Sequence, residues 1–344
     1  MIKLNSFQFP DNFLKIKTID MHTGGEPLRV IVDGLPEIKG ESILDKRRYF
    51  QDNFDTIRKG LMWEPRGHAD MYGAVITEAV QKGSDFGTFF MHNEGYSTMC
   101  GHAIIALTKL VLESGMVSKS GDNPQLIIDA PPGKIIAFAK RKNNVVERVS
   151  FINVPSFVYA QNQQIFVEEI GNVNYDIAFG GAFYAIVDAQ TIGLSLDASN
   201  YIQLIDWGRK IKLAIIDKRE INHPFEKDLS FLYGTIFTGK ADNQNHHSKN
   251  VCVFANGEVD RSATGSGVSA RAALHYAKGE LKIGESIRIA SILNSTMDVE
   301  VLEEVIYGNF KAVIPKVSGT AYFTGKHEFI FEPADPLLEG FLFR

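Results

Sequence analysis

The sequence predicts a mixed α+β (α/β) fold rather than a doubly wound parallel sheet. Three observations lead there. Short strand-like runs recur along nearly the whole chain, with a few helical stretches between them. Two of those helical stretches open on matching motifs, Thr98-Met99-Cys100-Gly101-His102-Ala103 and Ser262-Ala263-Thr264-Gly265-Ser266-Gly267, both of the form hydroxyl-x-[Cys/Thr]-Gly-x-small. The length, 344 residues, suits two domains. The likeness of the motifs suggests two related halves facing a shared cleft, with Pro155 as the crossover. The expected division is residues 1–155, carrying Cys100, and residues 156–319, carrying Asp260 and Thr264, with the segment from about 320 to 344 packing back on the first half.

Taken in order, residues 1–15 read as a tail or edge segment. Residues 16–20 and 28–32 read as strands around Met21-His22-Thr23-Gly24-Gly25-Glu26-Pro27, where the glycines allow positive φ and Pro27 blocks a helix. That turn is a loop at a cleft mouth or, more simply, a plain hairpin. Residues 42–59 are charged but carry Ile43, Tyr49, Phe50, Phe54 and Ile57, the pattern of a surface helix. Residues 66–73 form a polar cluster that lines a site or satisfies a turn, and strands follow at 74–77 and 85–92. After Cys100 the apolar Ile104, Leu107 and Val111, with Ile105 and Leu112 beside them, keep helical spacing up to Gly115. Strands are expected at 126–129, 134–139 and 145–151, with Pro131-Pro132-Gly133 as a turn.

The second half repeats this texture. Residues 164–170, 177–179 and 183–187 are strand-like, and Gly180-Gly181 marks a sharp turn between the last two. Residues 200–216 have helical spacing. Strands at 231–237 and 251–254 flank a polar loop at 239–250. The second motif opens a helix through Val268 and Ala272 that stops at Gly279. Strand-like runs return at 286–289, 297–302, 310–314 and 321–330.

Composition removes several classes of function. A hydrophobic fraction of 44% and a charged fraction of 22% belong to an ordinary globular protein. A net charge of −5 gives no basic footprint, so no nucleic acid is expected as partner. Two cysteines make no disulfide framework and fit a reducing, cytoplasmic setting. The opening residues MIKLNSFQFPDNFLKIKTID lack the apolar core and cleavage site of a signal peptide, and no apolar run is long enough to span a bilayer, so no membrane is expected either.

The chemistry concentrates at the two motifs. A helix start carries unpaired N–H groups and the positive end of the macrodipole, so a thiol there ionises more easily and a carboxylate finds a seat. Cys100 could equally be a buried packing residue, as Cys252 in its apolar run Val251-Cys252-Val253-Phe254 reads. The adjacent His246-His247 lack the spacing of a helical metal pair and no cysteine cluster supports zinc, so no metal is expected. No dinucleotide fingerprint or P-loop is present and nothing points to a pyridoxal lysine, so no cofactor is expected. Asp260 caps the second helix or holds a substrate ammonium. A small zwitterion fits both motifs, its carboxylate at the two helix starts and its nitrogen near Asp260 or His102.

These residues resemble the proline racemase family. The resemblance rests on Asp20-Met21-His22-Thr23 with Gly25-Glu26-Pro27, on Pro65-Arg66-Gly67-His68-Ala69-Asp70-Met71, on Met99-Cys100-Gly101-His102, on Gly180-Gly181-Ala182-Phe183-Tyr184 and on the run from Asp260 to Gly267, in that order through most of the chain. It implies a diaminopimelate-epimerase-like fold: two pseudo-symmetric halves, each a curved sheet around a central helix, with a cofactor-independent active site in the cleft between them. Racemases and epimerases of the family place a cysteine on each face of the substrate α-carbon. Cys100 matches the first, and Thr264 stands where the second would be. That departure resembles the branch that dehydrates trans-3-hydroxy-L-proline. The resemblance makes Cys100 and Thr264 the catalytic pair and sets the substrate against Gly101, His102, Asp260, Gly265 and Ser266. It implies an imino acid as small-molecule partner, with a homodimer as a possible assembly.

A thiol can act as acid or base near neutrality, whereas a Thr hydroxyl is no effective base without an activating partner. One competent face suits elimination better than racemisation. The expected reaction is therefore dehydration to pyrroline-2-carboxylate, with Cys100 taking the α-proton and the leaving hydroxide protonated by the new Cys100 thiol or by His102. A proline racemase or hydroxyproline 2-epimerase is the alternative, and a non-catalytic imino-acid binder is the reading from another class.

Overall fold

The computed structural model describes residues 9–343, so residues 1–8 of the expected tail lie outside the described residues, and Leu14 already opens a strand. In chain order, β1 (Leu14–Thr23) and β2 (Glu26–Asp33) form a hairpin. Helix α1 (Ile43–Met62) leads to β3 (Tyr72–Thr77), β4 (Phe86–His92) and the short β5 (Gly95–Ser97). Helix α2 (Gly101–Glu113) leads to β6 (Gln125–Ala130), β7 (Gly133–Lys142) and β8 (Val145–Ile152). Then come β9 (Ser156–Val167), β10 (Gly171–Phe179), β11 (Phe183–Asp188) and α3 (Tyr201–Lys218). Strands β12 (Leu232–Gly239), β13 (Ser248–Phe254) and β14 (Glu258–Val259) precede α4 (Gly265–Ala277), and β15 (Ser286–Ala290), β16 (Thr296–Tyr307), β17 (Phe310–Gly319) and β18 (Ala321–Phe331) complete the fold.

The strand pairings follow one succession twice. From β1 it is β1–β2 antiparallel, β2–β3 parallel, β3–β4 antiparallel, β4–β6 parallel, then β6–β7 and β7–β8 antiparallel. From β10 it is β10–β11 antiparallel, β11–β12 parallel, β12–β13 antiparallel, β13–β15 parallel, then β15–β16 and β16–β17 antiparallel. Strand β9 pairs with both β10 and β17, which closes the second set on itself. Strand β18 pairs with β1, while the end of β17 pairs with β8, so the β17–β18 run stitches the two sets together.

Each set wraps a helix. Helix α2 packs against β1, β2, β7, β8, β17 and β18, and α4 against β9, β10, β11, β16 and β17. Every residue from Gly101 to Leu112 is buried, as is every residue from Gly265 to Leu274. Both helices are enclosed on all sides, and the charged residues they carry, Lys109 and Arg271, are buried with hydrogen-bond partners, Val146 O and Ser248 Oγ among them.

Helix α1 starts at a capping box, Ser42 with Asp45, as its serine and acidic residue three positions on dictate. It is more than a surface helix. Ile43, Phe50, Ile57, Leu61 and Met62 are buried with Ile16, Phe89 and Phe331 in a second apolar cluster, which β18 covers. Two other expectations shift. The strand expected at 164–170 is the second half of the longer β9, which ends at Val167 before the turn into β10. The polar loop expected at 239–250 gives up Ser248, Lys249 and Asn250 to β13, where all three are buried.

The starts of α2 and α4 meet. A Cβ added to Gly265 would lie 2.6 Å from the Cα of Gly101, and one added to Gly101 equally close to the Cα of Gly265. Both residues must therefore be glycine for the two backbones to approach. Gly265→Ala forces the helix starts apart. We expect it to cost about 1–3 kcal/mol in urea denaturation, and an unchanged midpoint would contradict the contact.

Candidate active site

The cavity at this meeting point is small, about 20 Å³, and is lined by Tyr72, Met99, Cys100, Gly101, His102, Tyr184, Tyr233, Phe254, Asp260, Thr264, Gly265 and Ser266. It has room for roughly one water molecule. All seven residues singled out by the sequence therefore lie together. The aromatic residues around them were missed, although Tyr72 and Tyr184 stand in or next to the matching motifs. Aromatic residues in apolar strands read as core until the fold points them at a cavity.

Cys100 and Thr264 occupy the same place in their helices. Each is the residue before a 13-residue helix. Helical hydrogen bonding begins with the N–H of Ile104 to Cys100 O at 3.1 Å and of Val268 to Thr264 O at 2.8 Å. The N–H groups ahead of these have no carbonyl one turn back to meet. Two macrodipoles thus present their positive ends to one small space, an arrangement suited to an anion. The two caps differ in backbone. Cys100 is extended, with φ −140° and ψ 100°, and its sulfur accepts the Ala103 N–H at 3.4 Å. Thr264 has φ 65° and ψ 94°, a left-handed conformation that is rare and strained for a β-branched residue.

The cavity is walled by hydroxyls and carboxyls. Tyr184 and Ser266 share a hydrogen bond of 2.7 Å, and the Tyr72 hydroxyl bonds Ser97 Oγ. Asp260 accepts the Ser262 N–H at 2.7 Å, so it shapes the turn into α4 while lining the cavity. Behind it Glu26, fully buried, accepts the Arg261 N–H at 2.7 Å, and Arg261 and Tyr201 both bond Asp70. Further along the wall His92 Nδ1 lies 3.0 Å from Glu258. The turn at residues 21–27 is indeed a hairpin, β1–β2, yet it also reaches the site: Thr23 donates to the His102 carbonyl at 2.9 Å. The hairpin reading of that motif holds, and the hairpin packs against the start of α2.

Burial sets the ionisation. It pushes the Cys100 thiol well above its usual range, the Ala103 N–H and Tyr72 hydroxyl pulling it back and the Asp260 and Glu26 carboxyls pushing it further up. The helix start alone does not make this thiol easy to ionise, because loss of solvent outweighs one N–H and a dipole end. Burial lifts Asp260 to about 6, against the pull of its Ser262 hydrogen bond and the nearby Thr264 hydroxyl. Burial lowers His102 to about 3, partly offset by its hydrogen bond to the Pro27 carbonyl. His102 is therefore neutral near pH 7. Its Nδ1 lies 3.2 Å from the Cys100 sulfur.

Cys252 is fully buried in β13, behind Thr264. Among the described residues no group of three or more His, Cys, Asp or Glu side chains is placed to hold a metal ion, and no helix is long and apolar enough to cross a membrane.

Comparison with known proteins agrees with this architecture. A hydroxyproline epimerase from Agrobacterium vitis, solved with bound trans-4-OH-L-proline, superposes with a TM-score of 0.92 at 27% identity, covering 97% of this chain and 96% of that one. A PhzF-family phenazine biosynthesis protein from Bacillus anthracis shares the fold at a TM-score of 0.58 and 10% identity, over 92% of this chain and 99% of that one. The fold is thus the mixed α+β architecture of proline racemase and PhzF structures. The family model for proline racemase matches residues 18–342, and the chain belongs to the proline racemase family. It is 55% identical to the trans-3-hydroxy-L-proline dehydratase of Colwellia psychrerythraea over 97% of this chain and 94% of that protein. It is 46% identical to that of Bacillus thuringiensis, over 94% and 97%, and 43% identical to that of Homo sapiens, over 96% and 95%.

A buried, neutral thiol has a simple signature. In a Cys252→Ala background, the rate of Cys100 alkylation by iodoacetamide should climb throughout the range from pH 7 to pH 9, at up to about tenfold per unit. A plateau already reached at pH 7 would show a thiolate and contradict the effect of burial.

Proposed function

We propose that the chain dehydrates trans-3-hydroxy-L-proline to pyrroline-2-carboxylate and water, with Cys100 as the base. The observation that carries this reading is the unlike pair at the two helix starts, a thiol at one and a Thr hydroxyl at the other. The near full-length similarity to proteins named for this activity supports it.

The chemistry follows from the pair. The thiolate of Cys100 removes the α-proton. N–H groups of Gly101, His102, Gly265 and Ser266 hold the carboxylate and stabilise the charge that develops on it. Asp260, ionised above about pH 6, holds the secondary ammonium. Thr264 contributes no second base, so a proton taken by Cys100 returns to the same face unless a group leaves the neighbouring carbon. In trans-3-hydroxy-L-proline the C3 hydroxyl lies on the same ring face as the α-hydrogen. Loss of both is then a syn elimination on one face, and the enamine product tautomerises to pyrroline-2-carboxylate.

The twofold succession of strand pairings supports two pseudo-symmetric halves, residues 1–155 with the segment from about 320 onward and residues 156–319, with the active site between them. The cavity of about 20 Å³ is far smaller than an imino acid, so the halves must part to admit one. Contacts from Arg261 and Tyr201 to Asp70, and from His92 to Glu258, would break on opening. Two buried free cysteines suit a reducing compartment, and a cytoplasmic setting is part of this reading.

The direct test is addition of trans-3-hydroxy-L-proline to pure protein, following pyrroline-2-carboxylate after reduction. Cys100→Ser should lower turnover by at least about a thousandfold while the circular dichroism stays unchanged; near-normal turnover would remove the base from the scheme. In D₂O, L-proline should exchange its α-hydrogen with retention. Steady formation of D-proline would favour the racemase reading instead.

A further inference from the structure

The elimination needs a proton for the departing oxygen, and His102 is poorly equipped to give it. The ring is neutral near pH 7, so no imidazolium is available as acid, and its Nδ1 lies 3.2 Å from the Cys100 sulfur. Tyr72 is differently placed. It lines the cavity, and its ring packs edge-on against His102 with centroids 4.8 Å apart. Its hydroxyl bonds Ser97 Oγ, three residues before Cys100, and Tyr72 and Cys100 line the same small cavity, close enough for the hydroxyl to ease ionisation of the thiol. This is the side of the cavity that the α-hydrogen and C3 hydroxyl would both face. The ring is held on its other flank by His92, stacked at 5.9 Å, and by Phe254 at 6.1 Å.

Resting on the dehydration reading above, we propose that Tyr72 is the catalytic acid that protonates the leaving C3 hydroxyl. The Cys100 thiolate takes the α-proton, the C–H electron pair becomes the C2–C3 double bond, and the C3–O bond breaks. The Tyr72 O–H proton passes to the departing oxygen, which leaves as water. The phenolate left behind recovers a proton from the new Cys100 thiol beside it, so thiolate and phenol are both restored. No oxidant, reductant or further reactant is needed. Burial raises both the Tyr72 phenol and the Cys100 thiol, and in their ordinary order the phenol is the weaker acid, so this last transfer runs from thiol to phenolate. A phenol is also far more acidic than water, the product of the transfer, so it is a competent donor to hydroxide.

Tyr72→Phe tests the assignment because it removes one oxygen and keeps the ring. Dehydration of trans-3-hydroxy-L-proline should fall about a hundredfold or more. Deuterium exchange into the α-position of L-proline, which needs the base but no acid for a leaving group, should stay within a few-fold of the unmodified protein. Elimination from trans-3-chloro-L-proline, whose chloride leaves without a proton, should also survive. Unimpaired dehydration by Tyr72→Phe would overturn the assignment, and so would equal loss of all three activities, which would mark Tyr72 as structural. Failure of the unmodified protein on trans-3-hydroxy-L-proline would overturn the reaction itself, a distinct result.

Discussion

The approach of Gly101 to Gly265 is the constraint on which the site depends. Two buried helices run into each other at their N-termini, where a side chain on either glycine would collide with backbone. Like ends of two dipoles repel, and the unpaired N–H groups there are desolvated. Such a contact is tolerable when an anion occupies the space between. The strand sets around α2 and α4, stitched by the β17–β18 run, hold the two ends in place. The fold therefore brings the positive ends of two helices to one point, and the proposed seat for a substrate carboxylate rests on that.

The same enclosure governs proton chemistry. Burial makes Cys100 a stronger base once ionised, and harder to ionise, with Asp260 and Glu26 adding to the second effect. A substrate ammonium paired with Asp260 would cancel part of that repulsion, so binding itself would favour the thiolate. Enclosure also makes His102 a neutral ring rather than a cation. The resting cavity thus places a neutral thiol and a neutral imidazole beside Asp260 and the N–H groups of two helix starts.

The two helix starts have common geometry and unlike chemistry. The helices are equal in length and begin at equivalent motif positions, yet Cys100 has an extended backbone and Thr264 a left-handed one. On the reading proposed here, that asymmetry separates elimination from inversion of a stereocentre. It needs no change in the strand framework, only a β-branched hydroxyl in place of a thiol at one cap and the backbone turn that goes with it.

The sequence by itself determined the helices and most strands, because burial periodicity and caps such as Ser42 and Gly279 are local signals. It also determined the positions of Cys100, Thr264 and Asp260, since glycine-flanked motifs at helix starts announce themselves. What only the tertiary structure decided is long-range. Tyr72, Tyr233 and Phe254 lie in apolar strands whose pattern is the same whether they face a core or a cavity. The segment from about 320 is expected against the first half, but its antiparallel pairing with β1 and the contact of Glu26 with Arg261 join residues more than two hundred positions apart. The ionisation of Cys100 was also decided there, because the local helix start argues one way and burial, which depends on every element packed around it, argues the other and prevails.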